Sequence, residues 1–508
     1  MEERPGTEPV WVGVDLGTQS VRAVAVAAAG ELLAAAARPL HSHRDGHHHE
    51  QDPHGWWTAT ADALAEMVAA LPSGAAAAVR GVAVCGTSGT VLLTDPDGTP
   101  RTPGLMYDDA RAGDLAAQAQ DAGAALWDRL GYRIQPTWAL PKLLWWRDRG
   151  LLRDGARLAH QPDVITAALV GRPVAADSSH ALKTGYDLID LRWPGDVLDA
   201  LRVDPAVLPE VIRAGGVLGR VGAAAAGRTG LPQGARVVAG MTDGCAAQLA
   251  AGALSPGEWN AVLGTTLALK GVARDVLHDP TGAVYSHRAP HGDLWLPGGA
   301  SSTGAAAVTA LFCDEDLDAL TARARRVRDV PPCYPLTGRG ERFPFVEQAA
   351  RGFLGGDPLP AGPEGVDDPA TVVAAVCTGV AHLERLCFDL LDDAGADVGG
   401  PVSFTGGGAR NGWWNQLRCD LLGMPVRIPA SAEPAVGMAV LAASARDDGG
   451  GDVAAAAGRM VHVRTELHPD ERRGADLAAG YAAFVTALSD RGWLDPRTAA
   501  HARKRAAA

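Results

Sequence analysis

Trp11-Val12-Gly13-Val14-Asp15-Leu16-Gly17-Thr18-Gln19-Ser20 is the stretch that decides the fold, because the second half of the chain repeats its pattern. The second copy is Trp259-Asn260-Ala261-Val262-Leu263-Gly264-Thr265-Thr266. In each copy an apolar run leads into Leu-Gly-Thr and a second apolar run follows, which predicts a β-hairpin with a Gly-Thr turn. Glycine lets a ligand approach the backbone closely, and the N–H and hydroxyl groups of such turns suit phosphate oxygens. The pair predicts a duplicated domain that holds a nucleotide triphosphate between two lobes; two unrelated β-turns are the alternative.

Length and composition predict an ordinary globular protein of two domains. The 508 residues exceed the usual size of one core, and 47% of them are hydrophobic and 21% charged. The net charge of −13, with no Lys/Arg stripe, argues against a nucleic-acid partner. The longest uncharged stretch, residues 294–313, contains proline, glycine and serine, so no membrane span is predicted.

The cysteines and the N-terminus predict a cytoplasmic protein. Seven cysteines are scattered without a Cys-x-x-Cys pair, which is typical of reduced thiols and not of disulfides or a zinc site. Residues 1–9 are acidic and polar and do not form a signal peptide. The sequence leaves the oligomeric state open, and a homodimer is one option.

The first half reads as strands that end in small polar residues. We predict a meander over 11–15, 21–26 and 31–38, and a helix that begins after Asp52. A strand over 81–85 runs into Gly86-Thr87-Ser88-Gly89-Thr90. Another, over 236–239, runs into Gly240-Met241-Thr242-Asp243-Gly244, and a helix over 245–253 follows. Asp243 is therefore expected at the end of a sheet, where ligand contacts are common.

The second half repeats this organisation. A second meander begins at Glu258, and long helices are predicted over 371–393 and 413–422. The strand over 402–405 meets Gly406-Gly407-Gly408, which leaves a flat surface on which an aromatic base can lie. Three segments are predicted to be solvated loops or tails: the His-rich residues 41–49, residues 447–458, and the chain from His501.

Six short motifs, in order, resemble those of the FGGY family of carbohydrate kinases. They are Val14-Asp15-Leu16-Gly17-Thr18, Glu50-Gln51-Asp52-Pro53, Gly240-x-x-Asp243, Leu263-Gly264-Thr265, Gly340-Glu341-Arg342-x-Pro344 and Gly406-Gly407-Gly408-Ala409. The resemblance covers residues 10–485. It implies an α/β fold of two duplicated actin-like, ribonuclease H-like ATPase lobes with a cleft between them. Residues 10–253 would form the sugar-binding lobe and 254–485 the nucleotide-binding lobe.

Within that family the chain looks most like the D-ribulokinase group. The similarity lies in Gly86-Thr87-Ser88-Gly89-Thr90, His180-Ala181-Leu182-Lys183-x-Gly185-Tyr186, Val284-Tyr285-Ser286-His287-Arg288 and Tyr334-Pro335-Leu336. Xylulokinases usually carry Gln-Met-His-Gly at the first of these places, and this chain lacks it.

The resemblance implies a catalytic and a metal role for two carboxylates, with ATP and Mg²⁺ as cofactors. Asp243 corresponds to the family's general base, which takes the proton of the attacking sugar hydroxyl. The alternative is that Asp243 is a helix N-cap. Asp15 resembles the family's Mg²⁺-associated aspartate, which acts through water, and Asp243 is the second carboxylate of that site.

The nucleotide is expected to contact small residues in both halves. Turn residues would hold the phosphates, and glycine-rich residues would line the adenine and ribose pocket. These candidates are Gly17, Thr18, Gln19, Gly264, Thr265, Thr266, Gly406, Gly407, Ala409 and Asn411. Sugar binding is expected to close the cleft and exclude water.

Sugar contacts are expected from Ser88, Asp109, Arg111 and Lys183, together with Asp15 and Asp243. Ser88 is alternatively a turn serine that bonds its own backbone, and Asp109 and Arg111 are alternatively a surface ion pair. Gly244 departs from the Ser or Asn found beside the base in many relatives.

The function expected from the resemblance is phosphorylation of the terminal hydroxyl of D-ribulose by ATP. Xylulokinase or another pentulose or polyol kinase is the first alternative. An actin- or chaperone-like ATP-binding module is the second, because fold does not fix function. The partners would be a sugar and ATP, without nucleic acid or membrane.

Overall fold

The computed structural model describes residues 8–279, 281–312, 316–360, 362, 368–449 and 451–506. Contacts between residues divide the chain into two compact units, each of which draws on three segments. The first unit contains the described residues up to Gly252, His287–Trp295 and Ser431–His462. The second contains Ala253–Ser286, Leu296–Ala430 and the described residues from Val463. The sequence domains 10–253 and 254–485 stay a prediction.

A six-stranded sheet forms the centre of the first unit. Its strands lie in the order Val217–Arg220, Arg236–Val238, Val79–Gly86, Val10–Leu16, Ser20–Ala27 and Leu32–Pro39. The strands Val10–Leu16, Val79–Gly86 and Arg236–Val238 run parallel, and the other pairings are antiparallel. The valines and Leu16 of the strand Val10–Leu16 are buried, as expected of a strand with a parallel neighbour whose sheet is covered on both faces.

The second central sheet repeats this pairing pattern with seven strands. Their order is Tyr285–Arg288, Trp295–Ala300, Leu267–Gly271, Trp259–Leu263, Val402–Thr405, Val426–Pro429 and Val463–Leu467. The hairpin pairs antiparallel, two parallel neighbours follow on one side, and an antiparallel strand closes that edge. The duplicated α/β fold that the sequence predicted is confirmed.

The remaining strands in the described part of the chain form three smaller sheets. The largest joins Ser42–Asp45, His48–Gln51, Gly104–Leu105, Val91–Thr94 and Arg157–His160. A second joins Cys333–Glu341, Glu347–Leu354 and Asp357–Pro358, and a third pairs Ala176–Asp177 with Val211–Ile212.

The α-helices among the described residues surround these sheets. Those of the first unit are Pro53–Ala69, Ala116–Ala122, Ala124–Leu130, Ala139–Asp148, Gln161–Val170, Ser178–Ala181, Gly195–Ala200, Ala223–Thr229, Asp243–Ala250, Pro434–Ser444 and Val453–Met460. Those of the second are Ala306–Leu311, Leu317–Ala324, Pro369–Asp393, Gly412–Leu422, Glu471–Asp490 and Pro496–Ala506. Short 3₁₀ turns lie at Ala76–Ala78, Gly113–Leu115, Leu182–Thr184, Pro205–Val207 and Gly407–Arg410.

One helix of the described chain, Pro369–Asp393, is long and apolar enough to cross a membrane by length and composition alone. However, 89% of its most apolar window is buried inside the protein. Its apolar side chains belong to the hydrophobic core of the second unit. The apolar composition of this helix is therefore explained by packing.

Three predicted irregular segments are regular in the structure. The His-rich residues 41–49 contribute both strands of a hairpin, because His49 is buried against Asp108 and Asp109. Of residues 447–458, those from 453 lie in the helix Val453–Met460, and residue 450 lies outside the described residues. Of the tail from His501, residues 501–506 lie in the helix Pro496–Ala506, which buries Ala499 and Ala502, and residues 507–508 lie outside the described residues.

Candidate active site

Asp243 is the first residue of the helix Asp243–Ala250, and the N-cap position before it is Thr242. The alternative of Asp243 as an N-cap is therefore wrong. Its Oδ1 accepts a hydrogen bond from the N–H of Gly244 at 2.7 Å. A carboxylate in the first turn of a helix also faces the positive end of the helix dipole.

The loop before Asp243 is held at a fixed distance from the neighbouring strand. A Cβ on Gly240 would lie 1.8 Å from the carbonyl oxygen of Val84, so only glycine fits there. Thr242 forms a parallel bridge with Gly86, and its N–H donates to Ser179 Oγ at 3.2 Å. The base candidate is thus carried by a loop with little freedom to shift.

Asp15 lies near the end of the first strand, paired with Cys85 on the adjacent parallel strand. The Cys85 Sγ lies 3.5 Å from Asp15 Oδ1. Burial, and after it the negative charge of Asp243, raise the pKa of Asp15 to about 6, although the Cys85 hydrogen bond opposes this shift. Two carboxylates that repel each other in a buried place favour a bound cation.

The donor set fits a magnesium ion that arrives with the nucleotide. Among the described residues no group of three or more His, Cys, Asp or Glu side chains could hold a metal by itself. Mg²⁺ usually takes one or two carboxylates and fills its remaining positions with water and phosphate oxygens. Asp15 and Asp243 supply what such an ion requires of the protein.

Each hairpin turn contains a hydrogen bond within its own backbone. In the first, the Gly17 N–H donates to the Ser20 carbonyl at 3.1 Å, and the Thr18 carbonyl accepts from Gln51 Nε2 at 2.6 Å. Gln19 is exposed. In the second, the Gly264 N–H donates to the Thr266 carbonyl at 3.0 Å. Thr265 is exposed and Thr266 half-buried.

The glycine turn after the strand Val402–Thr405 is open on one side and tight on the other. Gly406 has a φ of +79° and Gly408 packs against Leu263, whereas nothing lies within 4 Å of a Cβ on Gly407. Ala409 is buried, and its carbonyl accepts from Asn415 Nδ2 at 2.8 Å.

Asn411 is the N-cap of the helix that follows this turn. Its Oδ1 accepts from the Trp414 N–H at 3.1 Å, and its Nδ2 donates to Thr321 Oγ1 at 3.2 Å. The side chain therefore has a structural role, whether or not it also contacts a nucleotide.

Ser88 carries a buried hydroxyl that has no hydrogen-bond partner among the described residues. Its backbone carbonyl accepts from Lys183 Nζ at 3.1 Å, so Lys183 holds the segment through the main chain. Because a buried polar group without a partner is costly, the Ser88 hydroxyl is suited to a ligand.

Asp109 and Arg111 form a buried network instead of a surface ion pair. Arg111 donates to both carboxylate oxygens of Asp109 and pairs with Glu50 at 2.7 Å, and the His49 N–H donates to Asp109 at 2.7 Å. Burial acts to raise the pKa of Asp109, but the hydrogen bonds from Arg111 outweigh it and hold the pKa below its usual value. Both side chains are thus engaged in this network.

Lys142 is a buried cation at this site that sequence reasoning missed. Its Nζ donates to the carbonyls of Gly89 at 2.9 Å and Met106 at 2.6 Å, and so ties together the Ser88 and Asp109 segments. The only signal in the sequence was a lysine within the otherwise apolar start of the Trp-rich helix Ala139–Asp148.

Comparison with known proteins shows the family of this chain. Residues 10–250 match the N-terminal domain, and residues 260–446 the C-terminal domain, of the FGGY family of carbohydrate kinases. A xylulose kinase of Streptomyces coelicolor is 31% identical over 89% of this chain and 90% of its own length. A xylulose kinase of Streptomyces rubiginosus is 29% identical over 95% and 98%.

Solved structures share the fold. The crystal structure of a xylulose kinase from Rhodospirillum rubrum superimposes with a TM-score of 0.83 at 26% identity, over 95% of this chain and 98% of that one. A Plasmodium falciparum glycerol kinase with ADP gives a TM-score of 0.80 at 15% identity, over 97% and 100%. At that identity the second likeness is one of fold.

Proposed function

The chain belongs to the FGGY family of carbohydrate kinases, and from that premise we propose that it transfers the γ-phosphoryl group of ATP to the terminal hydroxyl of a pentulose. It is a sugar kinase that uses ATP with Mg²⁺, so the non-catalytic ATP-binding module is set aside. The observation that carries the proposal is Asp243 on its braced loop beside Asp15. Phosphoryl transfer depends on positioning and on charge stabilisation, which such a pair supplies.

In the proposed mechanism Asp243 accepts the proton of the terminal hydroxyl. The sugar oxygen then forms a bond to the γ-phosphorus as the bond between that phosphorus and the bridging oxygen of ADP breaks. Asp15 would hold Mg²⁺ through water, and the bound ion would supply charge neutralisation on the phosphates. The first helical turn and the close packing of Gly240 keep the Asp243 carboxylate in place for this step.

The nucleotide contacts are proposed within each unit separately. In the first, Gly17, Thr18 and Gln19 would contact phosphate oxygens. In the second, Gly264, Thr265 and Thr266 would do the same, and the open face at Gly406 and Gly407 would receive the base, with Ala409 and Asn411 beside it. The exposed hydroxyl of Thr265 and the empty space over Gly407 support these assignments.

Two pentuloses are candidates for the acceptor. The names of the relatives support D-xylulose, which now has at least as much support as the D-ribulose that the sequence favoured. D-ribulose is supported by the segment Gly86-Thr87-Ser88-Gly89-Thr90, which differs from the usual xylulokinase pattern and leaves the Ser88 hydroxyl available. On the acceptor side Ser88 would donate to a sugar hydroxyl, while Lys183, Asp109 and Arg111 shape the site.

The test is ADP release over a panel of D-ribulose, D-xylulose, L-ribulose and glycerol, with the phosphorylated carbon of the product located by NMR. A higher kcat/KM for one of the two D-pentuloses, with phosphate on its terminal carbon, is expected. A higher kcat/KM for glycerol or L-ribulose would contradict the proposed acceptor class. Discrimination of only a few kcal/mol between epimers leaves some activity on the second D-pentulose.

We also propose a cytoplasmic location. All six described cysteines, which leave out Cys313, are free and buried, and reduced thiols are typical of that compartment.

A further inference from the structure

Glu341 is a buried carboxylate for which the proposed mechanism has no role. It is the last residue of the strand Cys333–Glu341 and is 3% exposed. Its Oε2 accepts from three hydroxyls, those of Ser301 at 2.8 Å, Thr303 at 3.0 Å and Tyr334 at 2.6 Å. Its Oε1 accepts from three backbone N–H groups, those of Ser302 at 2.6 Å, Arg342 at 2.8 Å and Phe343 at 3.4 Å.

This arrangement requires an acceptor-only side chain. An ionised carboxylate offers two oxygens and no donor, whereas an amide of the same shape would point an NH₂ group at donors. A hydrogen bond to a charged group is worth about 1.5–3 kcal/mol, and a buried charge without such bonds is very costly. The glutamate therefore fixes the groups that surround it.

The groups fixed by Glu341 brace the second hairpin turn. The Ser301 N–H donates to the Leu267 carbonyl at 2.9 Å, and the Leu267 N–H donates to the Thr303 carbonyl at 2.8 Å. Further along, the N–H groups of Ala305 and Ala306 donate to the carbonyls of Gly264 at 2.9 Å and Thr265 at 3.2 Å. Segment 301–306 thus holds the turn by four backbone hydrogen bonds.

Close packing adds to these bonds. A Cβ on Gly304 would lie 2.5 Å from Thr266, so the segment and the turn are in backbone contact. If segment 301–306 shifts, the turn Gly264-Thr265-Thr266 must therefore shift with it.

We propose that Glu341 is a positioning residue for the nucleotide phosphates, which acts by holding segment 301–306 and through it the turn Gly264-Thr265-Thr266. This inference rests on the proposed function, which assigns Thr265 and Thr266 to the phosphates. Glu341 itself contacts neither nucleotide nor sugar in this role. Its expected signature is a weakened affinity for nucleotide at unchanged affinity for the acceptor.

The test compares Glu341→Gln with wild type by KM for ATP, KM for the pentulose and calorimetric titration of ADP. We expect a rise of about tenfold in KM for ATP and in the Kd of ADP, as the loss of a buried hydrogen bond predicts, with KM for the pentulose within about twofold. The matched control is Glu384→Gln, another buried carboxylate of the second unit, which pairs with Arg418 at 2.6 Å and 2.7 Å instead of with segment 301–306. This control should leave both KM values within about twofold.

Unchanged nucleotide affinity in folded Glu341→Gln, or equal rises in both KM values, would overturn the positioning role. If Glu341→Gln does not fold, Tyr334→Phe provides the test, because it removes one donor to the carboxylate and keeps the carboxylate itself. About a threefold rise in the Kd of ADP is then expected, and an unchanged Kd would refute the positioning role.

Thr265→Val separates this inference from the proposed function. If Thr265→Val binds ADP with normal affinity, the assignment of Thr265 to the phosphates is contradicted. If Thr265→Val binds ADP more weakly but Glu341→Gln binds it normally, only the positioning role of Glu341 is contradicted. ADP titration needs no acceptor, so an absence of pentulose turnover would leave this measurement valid.

Discussion

Asp243 is the residue on which turnover should depend most. Asp243→Asn keeps the size of the side chain and can still accept the Gly244 N–H, but it cannot take a proton from the sugar. We expect kcat to fall by a factor on the order of 10² or more, while the Kd of ADP stays near that of wild type. Steady-state kinetics and calorimetry measure both quantities, and near-normal kcat would exclude Asp243 as the base.

Substitution of Ser88 tests whether its hydroxyl binds the sugar or only stabilises the turn. Because its buried hydroxyl has no partner among the described residues, Ser88→Ala should cost no stability while it raises KM for the preferred pentulose by about tenfold. Ser178→Ala is the matched control, since the Ser178 hydroxyl is also buried with no partner among the described residues, and it lies in the helix Ser178–Ala181 and not in the Ser88 turn. Equal KM values in the two variants would argue for Ser88 as a plain turn residue.

Lys142 should make stability depend on pH. Burial, together with the positive charges of Lys183 and Arg111, lowers the pKa of Lys142 from 10.5 to about 7, although the negative charges of Asp109 and Asp108 oppose this shift. Between about pH 7 and 10.5 the unfolded chain therefore binds more protons at this side chain than the folded protein, so this contribution to stability rises with pH. Relative to Lys142→Met, the free energy of unfolding of wild type should increase by about 2 kcal/mol from pH 7 to pH 9. Denaturant titrations at both pH values measure this, and parallel pH profiles would contradict it.

At the scale of elements, the helix Pro434–Ser444 depends on glycine in the first strand. A Cβ on Gly13 would lie 1.7 Å from the Ala435 carbonyl oxygen, a backbone atom that cannot rotate away. Gly13→Ala should therefore destabilise the protein by about 3 kcal/mol or more. Gly227→Ala, in a helix with nothing within 4 Å of the new Cβ, should instead be neutral or slightly stabilising. Thermal unfolding of both variants tests the contrast, and equal Tm values would refute it.

The elements that the sequence predicted well are those stabilised by local pattern. Apolar runs gave both hairpins, and Asp52 with Pro53 marked the start of the first long helix correctly. The hairpin Ser42–Asp45 and His48–Gln51 was missed because its strands are polar and its buried histidine, His49, is bonded through Nδ1 to Asp108, far away in sequence. The C-terminal helix was missed for a similar reason. It is fixed by two small alanines and by pairs such as His501 with Asp392 at 2.8 Å.

The candidate site was predictable to the extent that its residues lie in short motifs. Asp15 and Asp243 could be named from their flanking glycines and strands, and the structure brings them close enough for one charge to affect the other. Lys142 lies in no such motif, and Glu341 lies in one that gives it no role, since the contacts of both are with carbonyl, hydroxyl and N–H groups from other segments. Tertiary hydrogen bonds of this kind leave no periodic trace in a sequence.

At the scale of the whole molecule, the two central sheets share the pairing scheme of their inner strands but differ at the edges: beyond the hairpin the first sheet has one more strand and the second has two. The edge strand Val217–Arg220 precedes its partner Arg236–Val238 in the chain, whereas Val463–Leu467 follows its partner Val426–Pro429. The duplication is therefore preserved in the pairing of the inner strands and has diverged in the connection to the outer one.

The late position of the helix Pro434–Ser444 in the chain has a consequence for folding during protein synthesis. The first unit needs Ser431–His462 in addition to the residues up to Gly252, so the ribosome has made most of the chain before that unit is complete. Until then the strands of the first central sheet have been synthesised, but the helix Pro434–Ser444, which packs against Gly13, has not. A chain released early, at Gly252, would expose that surface permanently, which makes premature termination a direct route to aggregation for this protein.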